Sequence, residues 1–174
     1  MRRTWSPRGR TPILRHRMAW KRASMAAALG YRPGPDADGA MAARLCFHLQ
    51  ADSYNTDSLI EVLQQLAGFY GGHRVVLLWD GLSSHWSYKM RAHLHEQRHW
   101  LTVERLPAYA PELNPVEYLW ANLKGAELAN YTGDTVAEVA GQAQQGIQRV
   151  CDSDSLVAGF LDHAGLSLDD EPSP

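Results

Sequence analysis

Two carboxylates in this 174-residue sequence stand where metal or acid-base chemistry could use them. Asp80 closes the apolar run "RVVLLWD" (74–80), so its side chain would be held at the end of a rigid element, at a solvent boundary, as a hard divalent cation requires. Glu117 lies in "NPVE", at the start of a second element. Each also has a plain structural explanation. Asp80 and Gly81 can simply open a turn. Asn114 fits an N-cap, Pro115 the first helical position, and Glu117 the third, where a glutamate returns a hydrogen bond as in a capping box. Taken singly, neither acid needs a catalytic role.

The residues after Glu117 add chemistry at helical spacing. Val116, Leu119 and Leu123 form an apolar stripe, while Glu117, Trp120 and Lys124 lie three and four residues apart near a common face. A carboxylate, an indole and an ammonium together suit a surface that meets phosphates and bases, although Trp120 equally fits core packing. His95 and His99 are spaced i, i+4, with His73, His85 and His93 nearby, but no further ligand stands at a zinc spacing. Cys46 and Cys151 form no CxxC pair and read as buried thiols rather than a disulfide scaffold. No glycine-rich phosphate cradle is present, and "GLSSHWS" is not a nucleophile elbow.

The elements that must position these groups follow from periodicity. Residues 3–15 read as a loop or irregular edge strand, and 21–32 with 43–50 as a hairpin around a Pro-, Asp- and Gly-rich turn. Leu59, Val62, Leu63 and Leu66 mark an amphipathic helix over 55–71, capped at Thr56 or Asp57 and stopped near Gly71. The run 74–80, apolar without alternation, predicts a central strand covered on both faces. A helix over 85–100, a strand over 101–107, a helix from Pro115 to about Asn130, helical pattern from Asp134 to Gly165 and a polar tail complete the chain. This order predicts an α/β domain with a mixed sheet.

Composition, 45% hydrophobic and 21% charged, is that of a soluble globular protein with one core. No apolar run reaches membrane-spanning length and the first residues lack a signal-like apolar region, so a cytoplasmic location is expected. The net charge of -2 conceals a polarity along the chain. Residues 1–35 hold nine Lys or Arg and no acid, whereas 125–174 hold one Arg and nine acids. An acid-free basic start suits phosphate contact; a basic arm folded onto the acidic tail would use the same charges internally.

"VVLLWDGLSSHWS" followed by "LPAYAPELNPVEYLWANLKG" resembles the DDE transposases of the IS630 group, within the Tc1/mariner assemblage. In that family a hydrophobic strand ends in the second catalytic Asp with a His five residues on, matched here by Asp80 and His85. The "LP.YAP.LNP.E..W..LK" segment carries the third catalytic acid, matched by Glu117, with Trp120 and Lys124 also in register. Where the family usually has Asn after the Asp, this chain has Gly81. "RRTWSPRGRTP" (2–12) is similar to the segment after the family's first catalytic strand, so the resemblance spans roughly residues 2–130.

The resemblance implies an RNase H-like core over residues 1–130, with 131–174 as a helical extension of the same domain. It implies two Mg²⁺ or Mn²⁺ ions held by acids, with Asp80 and Glu117 as catalytic metal ligands. His85, Asn114, Trp120 and Lys124 are then supporting or DNA-contacting residues, and Arg2, Arg3, Arg8 and Arg10 candidate DNA contacts. DNA, as transposon ends and target, is the implied partner, and family members work as dimers or larger assemblies. The family's first catalytic Asp belongs to the central strand, ahead of "RTWSPRG", and no acid here matches it; Asp36, Asp38, Asp52 and Asp57 fall in turns or near a helix start. The expected fold is therefore this core without its first strand, with open edges beside the gap, and the expected activity is DNA strand cleavage and transfer, impaired in this chain alone. The alternative is a non-catalytic remnant that at most binds DNA through its basic start.

Overall fold

The computed structural model describes residues 8–10, 23–35, 41–129, 131 and 135–168. Arg2 and Arg3, most of the segment 3–15, Asp36 and Asp38, and nearly all of the polar tail lie outside the described residues. The predicted hairpin is present: β1 (Ala23–Pro35) pairs antiparallel with β2 (Met41–Ala51), in register from Ala23 opposite Ala51 to Tyr31 opposite Ala43. Helix α1 (Thr56–Tyr70) follows, but its cap is Asn55 rather than Thr56 or Asp57. Asn55 and Ser58 exchange side-chain and backbone hydrogen bonds in a reciprocal box. Gly71 ends the helix at φ 55°, a left-handed conformation that costs glycine little.

β3 (Val75–Trp79) pairs parallel with β4 (Leu101–Arg105), placing Trp79 beside Arg105. Between them lie a short 3-10 turn (Ser83–Trp86) and α2 (Tyr88–Glu96). The helix predicted from residue 85 thus begins later, because Ser87 caps it by accepting from the Met90 amide, leaving His85 and Trp86 in the tight turn. A second 3-10 turn (Pro111–Leu113) leads into α3 (Pro115–Ala126). The helical pattern from Asp134 resolves into α4 (Val136–Cys151) and α5 (Asp154–His163), broken at Asp152 and Ser153.

Alternation along the hairpin sends its two sides to two cores. Leu45, with Ala27, Leu29, Tyr31, Ala43 and Phe47 around it, packs against Leu119 and Leu123 of α3, Ile147 and Val150 of α4, and Val157 and Phe160 of α5. Ala28 and Cys46 face the other way, toward Leu59, Leu63 and Leu66 of α1, Met90 of α2, Trp100 and Leu101. The Arg149 guanidinium ties α4 to the end of α3, donating to both Glu127 oxygens at 2.6 and 3.1 Å and to Asn122 at 2.6 Å.

Two expectations about the strands need correction. Among the described residues the strands do not form one mixed sheet: β1–β2 and β3–β4 are two-stranded sheets, and each strand pairs there along one edge. A cleft of about 1280 Å³ runs between them, lined by consecutive residues of β1 (25–32) and of β3 (75–79). Successive side chains point to opposite faces, so a cleft touching every one of them faces the strand edges. Nor is β3 covered on both faces. Val75, Leu77 and Trp79 pack into the second core, whereas Val76 and Leu78 are 66% and 52% exposed. Helices α3, α4 and α5 pack on the β1–β2 hairpin.

Candidate active site

Asp80 follows the last residue of β3, and the turn after it folds back to hold it. The Asp80 Oδ1 atom accepts a hydrogen bond from the Leu82 amide at 3.0 Å, so the turn-forming reading of Asp-Gly is realised. His85 Nδ1 comes within 2.7 Å of the same oxygen, a close electrostatic contact without the alignment of a full hydrogen bond. The Trp86 indole N–H donates to the Asp80 carbonyl at 2.8 Å. Both anchors come from one 3-10 turn, and the side-chain contacts of Asp80 among the described residues fall on a single carboxylate oxygen. The Asp80 side chain is 55% exposed, so the other oxygen is presented outward.

His85 is the one buried polar residue among those described, and its ring stacks on Trp79 at 3.9 Å between centroids, 17° from parallel. Burial lowers its pKa below the ordinary histidine value, and Asp80 opposes that shift only in part. The folded state therefore disfavours the proton relative to the unfolded chain. Stability from the neutral ring is complete above the unfolded value and is lost as pH falls toward the lower folded value. In metal-free buffer, the urea midpoint of the wild type should drop between pH 7.5 and 5.5 more steeply than that of His85→Phe, which keeps a stacking ring but takes up no proton. Parallel pH curves would show that His85 does not titrate as described.

Glu117 sits at the third position of α3, as the sequence predicts, but the expected capping box is not formed. Asn114 caps the helix by accepting from the Val116 amide at 3.2 Å. Its own backbone N–H, which Glu117 would have to bond, already donates to the Pro111 carbonyl at 3.0 Å through the preceding 3-10 turn. Glu117 is exposed, and its carboxylate makes no hydrogen bond or ion pair among the described residues.

Asp80, His85, Asn114, Glu117 and Trp120 all line the cleft between the sheets. Trp120 is half-buried against the first core, so the core-packing reading describes much of its ring; Lys124 is exposed one turn further on and is not part of the cleft lining. Arg8 and Arg10 are exposed in a turn around Gly9. His95 and His99 are exposed, His95 bonding Arg98 and His99 the Glu96 carbonyl, and no group of three His, Cys, Asp or Glu able to hold a metal occurs among the described residues. No helix among the described residues is long and apolar enough to cross a membrane.

Three neighbours of Asp80 escaped sequence reasoning: Trp79, Trp86 and Arg105. The Arg105 guanidinium lies over the Trp86 ring, 5.6 Å from its centroid. Tyr109, in the loop from β4 to α3, is fully exposed and holds φ 61°, a conformation a non-glycine residue adopts at a cost. A visible signal was the glycine after Asp80, which leaves room above the turn.

No curated protein matches the chain. Among solved structures, the Mos1 transposase catalytic domain with Raltegravir and Mg is 18% identical, with a TM-score of 0.50 and coverage of 80% of this chain and 79% of that one. The Mos1 mariner paired-end complex with Mn is also 18% identical, with a TM-score of 0.51. That match covers 82% of this chain but 53% of the transposase, so the chain spans about half its length. These likenesses establish the fold, the RNase H-like fold of a transposase catalytic domain. The sequence model for the DDE superfamily endonuclease family matches residues 1–138, well over half of the protein. The chain belongs to the DDE superfamily endonucleases.

Proposed function

We propose that this chain is the catalytic core of an IS630-type transposase of the Tc1/mariner group, cleaving and joining DNA strands with divalent metal ions. The observation that carries the reading is the pair of acids: Asp80 and Glu117 line one cleft, and among the described residues a whole carboxylate of Glu117 and one oxygen of Asp80 have no partner. An all-oxygen donor pair fits Mg²⁺ or Mn²⁺ better than zinc. When bound, such ions activate a water or hydroxyl for in-line attack on a phosphodiester and stabilise the leaving oxygen. The Mg and Mn structures of Mos1 accord with that choice.

The protein's own contribution is placement. His85 and the Leu82 amide fix one Asp80 oxygen, so the other is held outward at a constant angle. Asn114 and Pro115 hold the first turn of α3, which presents Glu117 from a rigid mount. Trp120, Lys124 and the basic residues of the first segment, including Arg2, Arg3, Arg8 and Arg10, supply contacts to DNA. Dimers or larger assemblies would bring two such cores to paired DNA ends.

Two acids are one fewer than the resemblance implies. Among the described residues the edges of β1 and β3 toward the cleft are unpaired, which supports a reading in which a further strand brings a third carboxylate to the end where Asp80 lies. The absence of a three-ligand cluster among the described residues favours a second reading, a remnant that binds DNA without cutting it.

The deciding assay is nicking of a supercoiled plasmid at high enzyme excess with Mn²⁺ or Mg²⁺. Slow cleavage, lost on chelation and in both Asp80→Ala and Glu117→Ala, supports catalysis. Cleavage surviving both substitutions removes the assignment. Salt-sensitive DNA binding with no metal-dependent nicking supports the remnant.

A further inference from the structure

Arg105 occupies the last position of β4, directly beside Trp79 in the parallel register and therefore next to the strand end that carries Asp80. Its guanidinium lies over Trp86, the residue whose indole N–H holds the Asp80 carbonyl. A Cβ built on Gly81 would come within 2.7 Å of Arg105 Nη2 and 3.4 Å of Nε, so the guanidinium fills the space a side chain at 81 would take. Arg105 is nonetheless exposed, and among the described residues no carboxylate pairs with it; the three ion pairs there involve His85, Lys89 and Arg149. A guanidinium held by an aromatic face, with no partner for its donors among the described residues and beside the strand end that carries Asp80, is a recognition element without its anion.

We propose that Arg105 binds a backbone phosphate of the DNA strand at the Asp80 end of the cleft, and that Gly81 is required because any larger residue displaces the guanidinium. The planar fork grips a phosphodiester through two parallel hydrogen bonds, which orients the strand as well as attracting it. Stacking on Trp86 restricts the side chain beforehand, so less freedom is lost when the phosphate arrives. The inference rests on the DNA-processing reading above.

The test is fluorescence anisotropy with a labelled DNA duplex in EDTA, titrated over a range of salt concentrations for wild type, Arg105→Ala, Arg105→Lys, Gly81→Ala and the Gly81→Ala/Arg105→Ala pair. Loss of one phosphate contact should make the slope of log affinity against log salt shallower by about 0.9 in Arg105→Ala. Arg105→Lys should retain the slope, since a charge remains within reach. Gly81→Ala should weaken binding on its own yet add nothing in the Arg105→Ala background. A wild-type slope in Arg105→Ala, whatever its thermal midpoint, overturns the inference and leaves Arg105 as a structural cap on Trp86. That outcome leaves the functional reading standing, whereas a wild-type protein that binds no DNA overturns both.

Discussion

Glu117→Gln is expected to lower metal-dependent DNA cleavage by about a hundredfold or more while changing folding stability by less than about 1 kcal/mol. Removing groups that merely support a metal ligand typically costs about 10–100-fold, and a ligand itself should cost at least as much. The stability side follows from where the helix spends its hydrogen bonds. Asn114 caps α3 through Val116, and the Asn114 amide is already taken by Pro111, so none of the described residues uses the Glu117 carboxylate as a partner. What remains is its interaction with the positive end of the helix, worth roughly 0.3–1 kcal/mol. Asn114→Ala should behave in the opposite sense, losing about 1 kcal/mol of stability with its cap. Parallel urea denaturation and nicking assays separate the two; if Glu117→Gln instead unfolds the protein, the glutamate is a structural residue and its catalytic assignment falls.

Leu119→Ala should be the most destabilising single truncation of the site's support, by about 3–5 kcal/mol. Leu119 is fully buried on α3, two residues after Glu117, in the core shared by the hairpin, α4 and α5. Truncation leaves a cavity between elements that are fixed by separate contacts: the Tyr31 hydroxyl donates to the Val157 carbonyl at 2.9 Å, and Arg149 bridges to Glu127. Those ties limit collapse into the void, which places the cost above the bare transfer term. For a chain of this length each kcal/mol lowers the melting temperature by roughly 2–4 °C, so a loss of about 3 kcal/mol corresponds to roughly 6–12 °C. Calorimetry gives the shift directly. A change below about 1 kcal/mol would mean that α3 is not anchored through this residue.

Much of this architecture is local and therefore legible in the sequence. Asn114 and Pro115 announce the start of α3, the periodicity of Leu59, Leu63 and Leu66 announces α1, and the apolar run before Asp80 announces β3. These elements place the two acids, so the position of each along its element follows from local pattern alone. Long-range placement was not legible. The register that sets Arg105 beside Trp79 joins residues 26 apart, and nothing in either local pattern encodes it. The capping box failed because the 3-10 turn at Pro111–Leu113 claims the Asn114 amide, a competition between adjacent turns that spacing alone does not reveal. The apolar run of β3 suggests burial on both faces, yet Val76 and Leu78 are open, and α3, α4 and α5 pack on the other sheet. His85 was found through the resemblance; its burial, its stacking on Trp79 and the role of Trp86 depend on a turn that sequence periodicity assigned to a helix.

The central claim is that Asp80 and Glu117 act together on metal, and Mn²⁺ binding measured by water-proton relaxation tests it without requiring turnover. The comparison is among wild type, Asp80→Asn, Glu117→Gln and the double variant. If the carboxylates share their ions, each single substitution removes nearly as much affinity as both together, and the double-mutant cycle shows strong coupling. Mn²⁺ affinity that is unchanged by both substitutions, or that falls by independent and additive steps, would contradict the account.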